Sequence, residues 1–458
     1  MEAYLLSAWN VLLQQLAITF TDPTARTWQQ IAWGWVLHRG PATVTGMYRT
    51  LGEMADRHWT VYEKFFYRAA WKLDALSHYL MVRVVGPLIL ESGMMDSSSG
   101  EAVVDLHLDD TTVGRYGKHV AHAGWYKDAS ATGPSTKGVL IHWAHNWIVG
   151  VVSLRLRGWG LMRWTLPVVF ALYRKADDCD ADHPFATRQV LAARLVHEAS
   201  KSLQNMRIRV AADGQYATRD MVAGLPEHVS LVSRMRHDAA IYALCPAHRP
   251  RSRRGPKPRK GPRLPTPAQI ATRSKKGWTS ITLLRQGRTI QRHILGVTCI
   301  WYHVARLKPV RLLIVRDPAG KQKDDYLFCT DANTPDPQIA QRYHDRWGIE
   351  ESILEAKQHL GFESARGWCS KTVHHQAPLA MILLTLVKVW YARCAVNHPS
   401  LRPQAMPWYT HKTQPSFLDM LAALRTVLWK HRITPNSLSR AQIHAILKTL
   451  CYPLTAAA

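Results

Sequence analysis

Glu101-Ala-Val-Val-Asp105-Leu-His-Leu-Asp-Asp110 is the stretch on which the reading of this chain turns. Val104, Leu106 and Leu108 alternate with Asp105, His107 and Asp109, which is the period of a β-strand. Gly138–Leu156 follows as a long β-rich run, and Leu161–Phe170 supplies a further strand. Pro184–Ser202 predicts a helix with Leu191, Leu195, Val196 and Ala199 inward. Ile208–Ala212, ending at Asp213-Gly214, and Val229–Val232 are short β-prone runs. Strands, then a helix, then strands predict a mixed α/β domain.

Upstream of this block, residues 1–100 have a helical pattern. Trp28–Leu37 is mostly apolar and is ended by Gly40-Pro41; Thr43–Leu51 is a short segment. Thr60–Leu90 carries Phe65, Phe66, Ala69 and Leu73 at close to a helical period, with Gly86-Pro87 expected to end that helix early. The two segments flanking Gly40-Pro41 are either core helices or a DNA-reading helical pair. Downstream, Arg249–Arg263 holds eight basic residues, four prolines and no acid, which predicts a surface loop. Trp278–Leu284, Thr289–Tyr302 and Val310–Val315 are strand-like. After Pro335 the pattern is helical again: Pro337–Leu360, then Gln376–Ala395 with Pro378 in its first turn, then weaker segments at Pro415–Trp429 and Ser437–Leu450.

The composition narrows the function. The 458 residues are 47% hydrophobic, enough for a sizeable core and too apolar for a disordered tail. Lys and Arg total 59 against 33 Asp and Glu, a net charge of +26, and a polyanion is the natural partner for such a surface. Seven cysteines without a CxxC pair argue against a disulfide framework and against a thiolate zinc site. The N-terminus lacks the pattern of a secretory signal, and no apolar run reaches membrane-spanning length without polar breaks. The chain therefore reads as a soluble cytoplasmic protein with no membrane partner. Nothing forms a Walker loop, so no nucleotide is expected. His142 and His145 form an HxxH pair that 23 histidines make nearly free by chance.

In so basic a chain the acids stand out. Asp109 and Asp110 close the first strong strand, Asp213 closes a later one, and Glu350 and Glu351 lie in a predicted helix. Carboxylates brought to one point repel each other unless they hold divalent cations, and oxygen ligands favour Mg²⁺, with Mn²⁺ able to substitute. The helix reads Tyr343-His-Asp-Arg346-Trp-Gly-Ile-Glu350-Glu-Ser-Ile-Leu-Glu-Ala-Lys357. Spacings of 3, 4 and 7 put Tyr343, Arg346, Glu350 and Lys357 on one helical face, where Tyr, Arg and Lys can bind phosphates around a Glu-held metal.

These residues resemble an insertion-sequence transposase of the DDE superfamily, in the branch with a Tyr–(2)–Arg–(3)–Glu–(6)–Lys signature. The resemblance spans about residues 100–395. It implies an RNase H-like catalytic fold in which two aspartates from adjacent central strands meet a glutamate from a later helix. The family's first acid directly precedes a Thr, which assigns the role to Asp110 with Asp109 as the alternative; the second is Asp213 and the third Glu350. The chain between Asp213 and Glu350 is too long for a simple connection, as in members whose fold is interrupted by a β-rich insertion. The implied organisation is a helical region 1–100 available to bind DNA ends, a first catalytic part 101–234, the insertion 235–332 with its basic loop 249–263, a second catalytic part 333–395, and a helical region 396–458.

The implied DNA contacts are Arg249, Arg251, Arg253, Arg254, Lys257, Arg259, Lys260 and Arg263 of the basic run, with Lys275, Lys276 and Trp278 beyond it. Members with the insertion hold a flipped base against a Trp, for which Trp278 and Trp301 are candidates. The activity implied is cleavage of double-stranded DNA at terminal inverted repeats and joining of 3′-hydroxyl ends to target DNA. A homodimer on DNA and a prokaryotic, nucleoid-associated location go with it. A metal-dependent nuclease without strand transfer, or a silent DNA-binding protein, are the alternatives.

Overall fold

The computed structural model describes residues 2–96, 99–128, 138–245, 259–285, 288–403, 410, 412 and 414–433. The chain opens with helices α1 (Glu2–Ala17), α2 (Asp22–Leu37), α3 (Val44–Leu51), α4 (Trp59–Tyr67), α5 (Leu73–Tyr79) and α6 (Gly86–Ser92). Gly86-Pro87 does not end a helix as expected. Leu80–Val85 is wound as a π-helix that runs on into α6, so Pro87 lies inside a continuous helix Leu73–Ser92, at the point where the π winding gives way to α.

Strand β1 (Ala102–Gly114) then enters the middle of a ten-stranded sheet, buried along its first half. It pairs antiparallel with β3 (Ile141–Arg155) and parallel with β5 (Met206–Ala212). The far edge of β3 carries β2 (Gly124–Lys127) and β4 (Arg163–Tyr173), and β5 pairs parallel with β6 (Ser230–Arg234). Helix α7 (Arg188–Ser202), capped by the Thr187 hydroxyl on the Val190 N–H, links β4 to β5, and α8 (Arg219–Ala223) links β5 to β6. The order β4-β3-β1-β5-β6 is RNase H-like.

After α9 (Pro267–Arg273), strands β7 (Thr279–Arg285), β8 (Arg288–Ile300), β9 (Pro309–Arg316) and β10 (Asp325–Cys329) form an antiparallel meander, with α10 (Tyr302–Ala305) between β8 and β9. Because β10 also pairs with β6, the meander extends the main sheet. Three of its strands are those expected from the sequence; β10 is additional.

The expected single helix over 337–360 is two. Helix α11 (Asp336–Asp345) and α12 (Gly348–His359) are joined at Arg346-Trp347 by a tightened turn, in which Arg346 N–H bonds to Tyr343 O at 3.3 Å and Ile349 N–H to Arg346 O at 3.0 Å. Helix α13 (Ser370–Asn397) starts earlier than expected, so Pro378 lies well inside it and not in its first turn. The final described helix is α14 (Phe417–Ile433); the segment expected at 437–450 lies outside the described residues.

Helix α13 is long and apolar enough to cross a membrane but is encased in protein, with β4 on one side and α1, α4 and α14 on others. The N-terminal helices share its core. Trp390 Nε1 donates to Leu5 O at 2.9 Å, Trp35 Nε1 to Leu360 O at 2.9 Å, and Gln376 Nε2 to Ala42 O at 3.1 Å. Helix α12 is pressed on β4: a Cβ on Gly348 would stand 2.5 Å from Thr165 Cγ2. The Thr165 and Ser352 hydroxyls bond at 2.7 Å, and buried Lys388 pairs with Glu355 at 2.6 Å. A well-packed bracket therefore fixes the helix that carries Glu350.

Candidate active site

The pleat of β1 divides its two adjacent aspartates, which lie within the strand because β1 runs four residues past Asp110. Asp105, His107 and Asp109 share one face; Leu106, Leu108 and Asp110 share the other. Leu108 is in register with Ala212 of β5. One residue further, where the pairing of β1 with β5 stops, Asp109 lies within β1 and Asp213 just past the end of β5, and the extended backbone of Asp213 gives both the same face.

Arg346, in the turn between α11 and α12, reaches that face. Its Nη1 donates to Asp109 Oδ2 at 2.7 Å and its Nη2 to Glu350 Oε1 at 3.2 Å. Asp213 acts on the same guanidinium through its field. Burial opposes the Arg346 charge, but Asp109, Tyr343, Asp213 and Glu350 together raise its pKa above the usual value. Burial pushes the Asp109 carboxyl up to about 7; Arg346 opposes this, while Asp110 and Asp213 add to it. Asp109 and Glu350 thus share one cation, and Asp213 lies on the same face of the sheet.

A family model described as "DDE superfamily endonuclease" matches residues 15–293. The chain belongs to this DDE superfamily. The match takes in β1 and β5, with both aspartate positions, and ends before α11 and α12. None of the curated proteins matches the chain.

In this DDE-superfamily chain Asp110, expected beside Asp213 and Glu350, makes its hydrogen bonds on the face opposite Asp109. Its carboxylate faces the other side of the sheet, where Asn146 Nδ2 donates at 2.7 Å, Arg188 Nη1 at 3.0 Å and Tyr216 Oη at 3.5 Å, with a further bond from Gln215 Nε2. The pleat is the physical reason: neighbouring residues of a strand cannot share a face.

Nor do the four signature residues share one helix. Tyr343 ends α11, Arg346 lies in the turn, and Glu350 and Lys357 are on α12. The Tyr343 hydroxyl is buried without a partner among the described residues, and burial pushes it up to about 12. Lys357 Nζ donates to Thr112 O at 2.8 Å and pairs with Glu363 at 2.8 Å, tying α12 to the end of β1.

Beneath Asp109 the sheet face is charged yet buried. Asp105 pairs with Arg209 at 2.8 Å, Arg163 with Asp345, and Arg342 donates to Ser230 Oγ at 3.0 Å. His107 is fully enclosed among them, neither nitrogen has a partner among the described residues, and burial pushes its pKa down to about 3.

The site's donor set suits a hard divalent cation. It offers the carboxylate oxygens of Asp109, Asp213 and Glu350, with the Tyr343 hydroxyl buried nearby and without a hydrogen-bond partner among the described residues. The carboxylates do not stand in ligand geometry: the described residues hold no group of three or more His, Cys, Asp or Glu arranged for a metal. Arg346 stands between two of them.

Of the expected DNA contacts, Arg249, Arg251, Arg253, Arg254 and Lys257 lie outside the described residues. Arg259, Arg263, Lys275 and Lys276 are exposed, and Lys260 stacks over Tyr242 at 3.6 Å. Trp278 is half-buried, with Arg316 4.2 Å above its ring and its Nε1 bonded to Ser274 O. Trp301 is not available to a base; it is buried and packs edge-on against Phe328. His142 and His145 lie on opposite faces of β3. His142 pairs with Asp128, and His145 accepts from Arg115 Nε at 2.9 Å.

Proposed function

We propose that this DDE-superfamily chain is a DNA transposase of the Tyr-Arg-Glu-Lys branch, which cuts phosphodiester bonds at the ends of its mobile element and joins the 3′-hydroxyls to target DNA. The observation that carries the reading is the shared face: Asp109 within β1 and Asp213 just past the end of β5, and Glu350 linked to Asp109 through Arg346. The first acid in this proposal is Asp109, with Asp110 as its structural neighbour.

Asp109, Asp213 and Glu350 would hold the divalent ion. Bound there, Mg²⁺ or Mn²⁺ supplies neutralisation of the reacting phosphate and activation of the attacking hydroxyl. The protein's own groups do the rest. The carboxylates fix the site on rigid strands and a bracketed helix. Arg346, Lys357 and Tyr343 offer donors to the phosphates on either side, and the guanidinium can grip a phosphate with two parallel bonds. The net charge of +26 draws DNA to the protein, with Arg259, Arg263, Lys275 and Lys276 exposed toward it. Joining two ends needs two sites in fixed relation, so we place a homodimer on the DNA.

The test is excision from a donor plasmid carrying the open reading frame with its genomic flanks, incubated with a target plasmid and Mg²⁺. The expected result is flank-specific cutting and covalent joining to the target, both lost in Glu350→Gln. Cutting without joined products would favour the nuclease reading. No cutting by the wild type, or cutting unchanged in Glu350→Gln, would refute both.

A further inference from the structure

The Arg346 guanidinium sits where a divalent cation bridging Asp109 and Glu350 would act. It takes one oxygen of each carboxylate, at 2.7 and 3.2 Å, and its side chain is 12% exposed. A cation so placed competes directly with any metal for the same oxygens.

Two further features bear on how this contact could be released. The first is the backbone. Arg346 lies in the tightened turn between α11 and α12, not in the interior of either helix. Its direction is therefore set by a short joint that a small change can re-aim. The second is the spare donor. Arg346 Nε is buried without a partner among the described residues, so carboxylates do not exhaust the guanidinium's capacity. A phosphodiester can accept the same two-pronged grip that a carboxylate does, which makes it a competent exchange partner.

We propose that Arg346 is a cation lock: without DNA it spans Asp109 and Glu350 and holds a divalent ion out, and a DNA phosphate draws it away so that the ion enters with the substrate. This rests on the carboxylates being the metal's holders. After the exchange every charge is matched, the guanidinium by phosphate and the carboxylates by the ion. Before it the protein is inert toward whatever else a loaded site could cut. The account makes DNA and metal binding mutually reinforcing, as linkage requires.

The experiment measures Mn²⁺ binding to the full chain by the electron paramagnetic resonance of free Mn²⁺, with and without a short random-sequence duplex. Asp213→Asn, measured in parallel, defines which Mn²⁺ belongs to the site. Wild type should bind this Mn²⁺ at least about tenfold more tightly with the duplex than without, as expected from losing one charge-assisted competitor. Arg346→Met, which keeps the stem and removes the charge, should bind it tightly without DNA and gain little from the duplex. Arg346→Lys, which keeps the charge and loses the fork, should fall between. Thermal melting checks that each variant is folded; if Arg346→Met is not, Arg346→Lys alone must bind more tightly than wild type without DNA. Equal Mn²⁺ affinity in wild type and the folded variants without DNA overturns the lock and leaves the metal reading standing. Mn²⁺ binding that Asp213→Asn never changes, with or without DNA, overturns the carboxylate reading and the lock with it.

Discussion

Asp109 and Asp110 are neighbours with the same side chain and opposite situations. Asp110 is saturated: donors from β3, α7 and the segment after β5 converge on it, and Arg188 balances its charge. Asp109 shares one guanidinium with Glu350 and feels two further carboxylates, which with burial raise its pKa to about 7. A carboxylate has about four acceptor positions, and one whose positions are taken by the fold has little left for chemistry. The saturated aspartate braces the sheet; the undersupplied one is short of positive charge within β1, beside the end of β5 and a bracketed helix. We propose that the chemistry belongs with the second.

The largest expected effect breaks this pair apart. Asp109→Asn should lower metal-dependent DNA cleavage about a thousandfold or more, as loss of a charge that organises the transition-state electrostatics does. Asp110→Asn should stay within about tenfold of wild type, because it acts on the reaction only through positioning. Supercoiled-plasmid nicking in Mn²⁺ reads both. The reverse order would return the role to Asp110.

Gly348→Ala tests whether the bracket matters to the Asp109 face. The added methyl would meet Thr165 at 2.5 Å, so α12 must move off β4. Cleavage should fall about tenfold with an overpacking cost of about 1–3 kcal/mol in chemical unfolding. Unchanged activity would show that Glu350 tolerates displacement.

Stability should rank the two aspartates the other way. Asp110→Asn removes the charge facing Arg188 and should cost about 1–2 kcal/mol. Asp109→Asn should cost less, because it relieves repulsion from Asp110 and Asp213 while Arg346 keeps Glu350. Urea unfolding in chelator compares them; a larger loss from Asp109→Asn would contradict the contrast.

The smallest effect concerns an undersupplied carboxylate away from the site. Glu198 of α7 is pushed up to about 7, by burial first and then by Asp74, with Lys201 and Arg194 opposing. Its folded-state pKa lies above the ordinary 4.5, so its charge costs stability that is absent at low pH and grows as pH rises through that window. Glu198→Gln should raise the melting temperature by about 1 °C at about pH 8 and leave it unchanged near pH 4. Cleavage should not change, since it stands away from the site.

Much of this was legible beforehand. The strands at 101–110, 138–156 and 208–212 announced themselves through alternation and β-branched runs. The same alternation already separated Asp109 from Asp110, since Asp110 has the parity of Leu106 and Leu108. It was obscured because Asp105 and His107 look like a solvent face, when α11 with its Arg342, and Arg209 of β5, bury them. The partnership of Asp109 with Asp213 depends on strand register, which no local pattern encodes. Arg346-Trp347 has ordinary helical propensity, so the joint between α11 and α12 was invisible. The start of α13 was hidden because Ser370, Lys371, Thr372 and His375 read as polar, although the fold buries two of them.

The most direct measurement is anomalous scattering at the manganese edge from crystals of the protein with duplex DNA and Mn²⁺. The account predicts a peak bounded by carboxylate oxygens of Asp109, Asp213 and Glu350, with Arg346 turned to a phosphate and Asp110 still bound to Asn146 and Arg188. A peak coordinated by Asp110, or ordered DNA at the site with Arg346 still bridging Asp109 and Glu350 and no manganese, would contradict it.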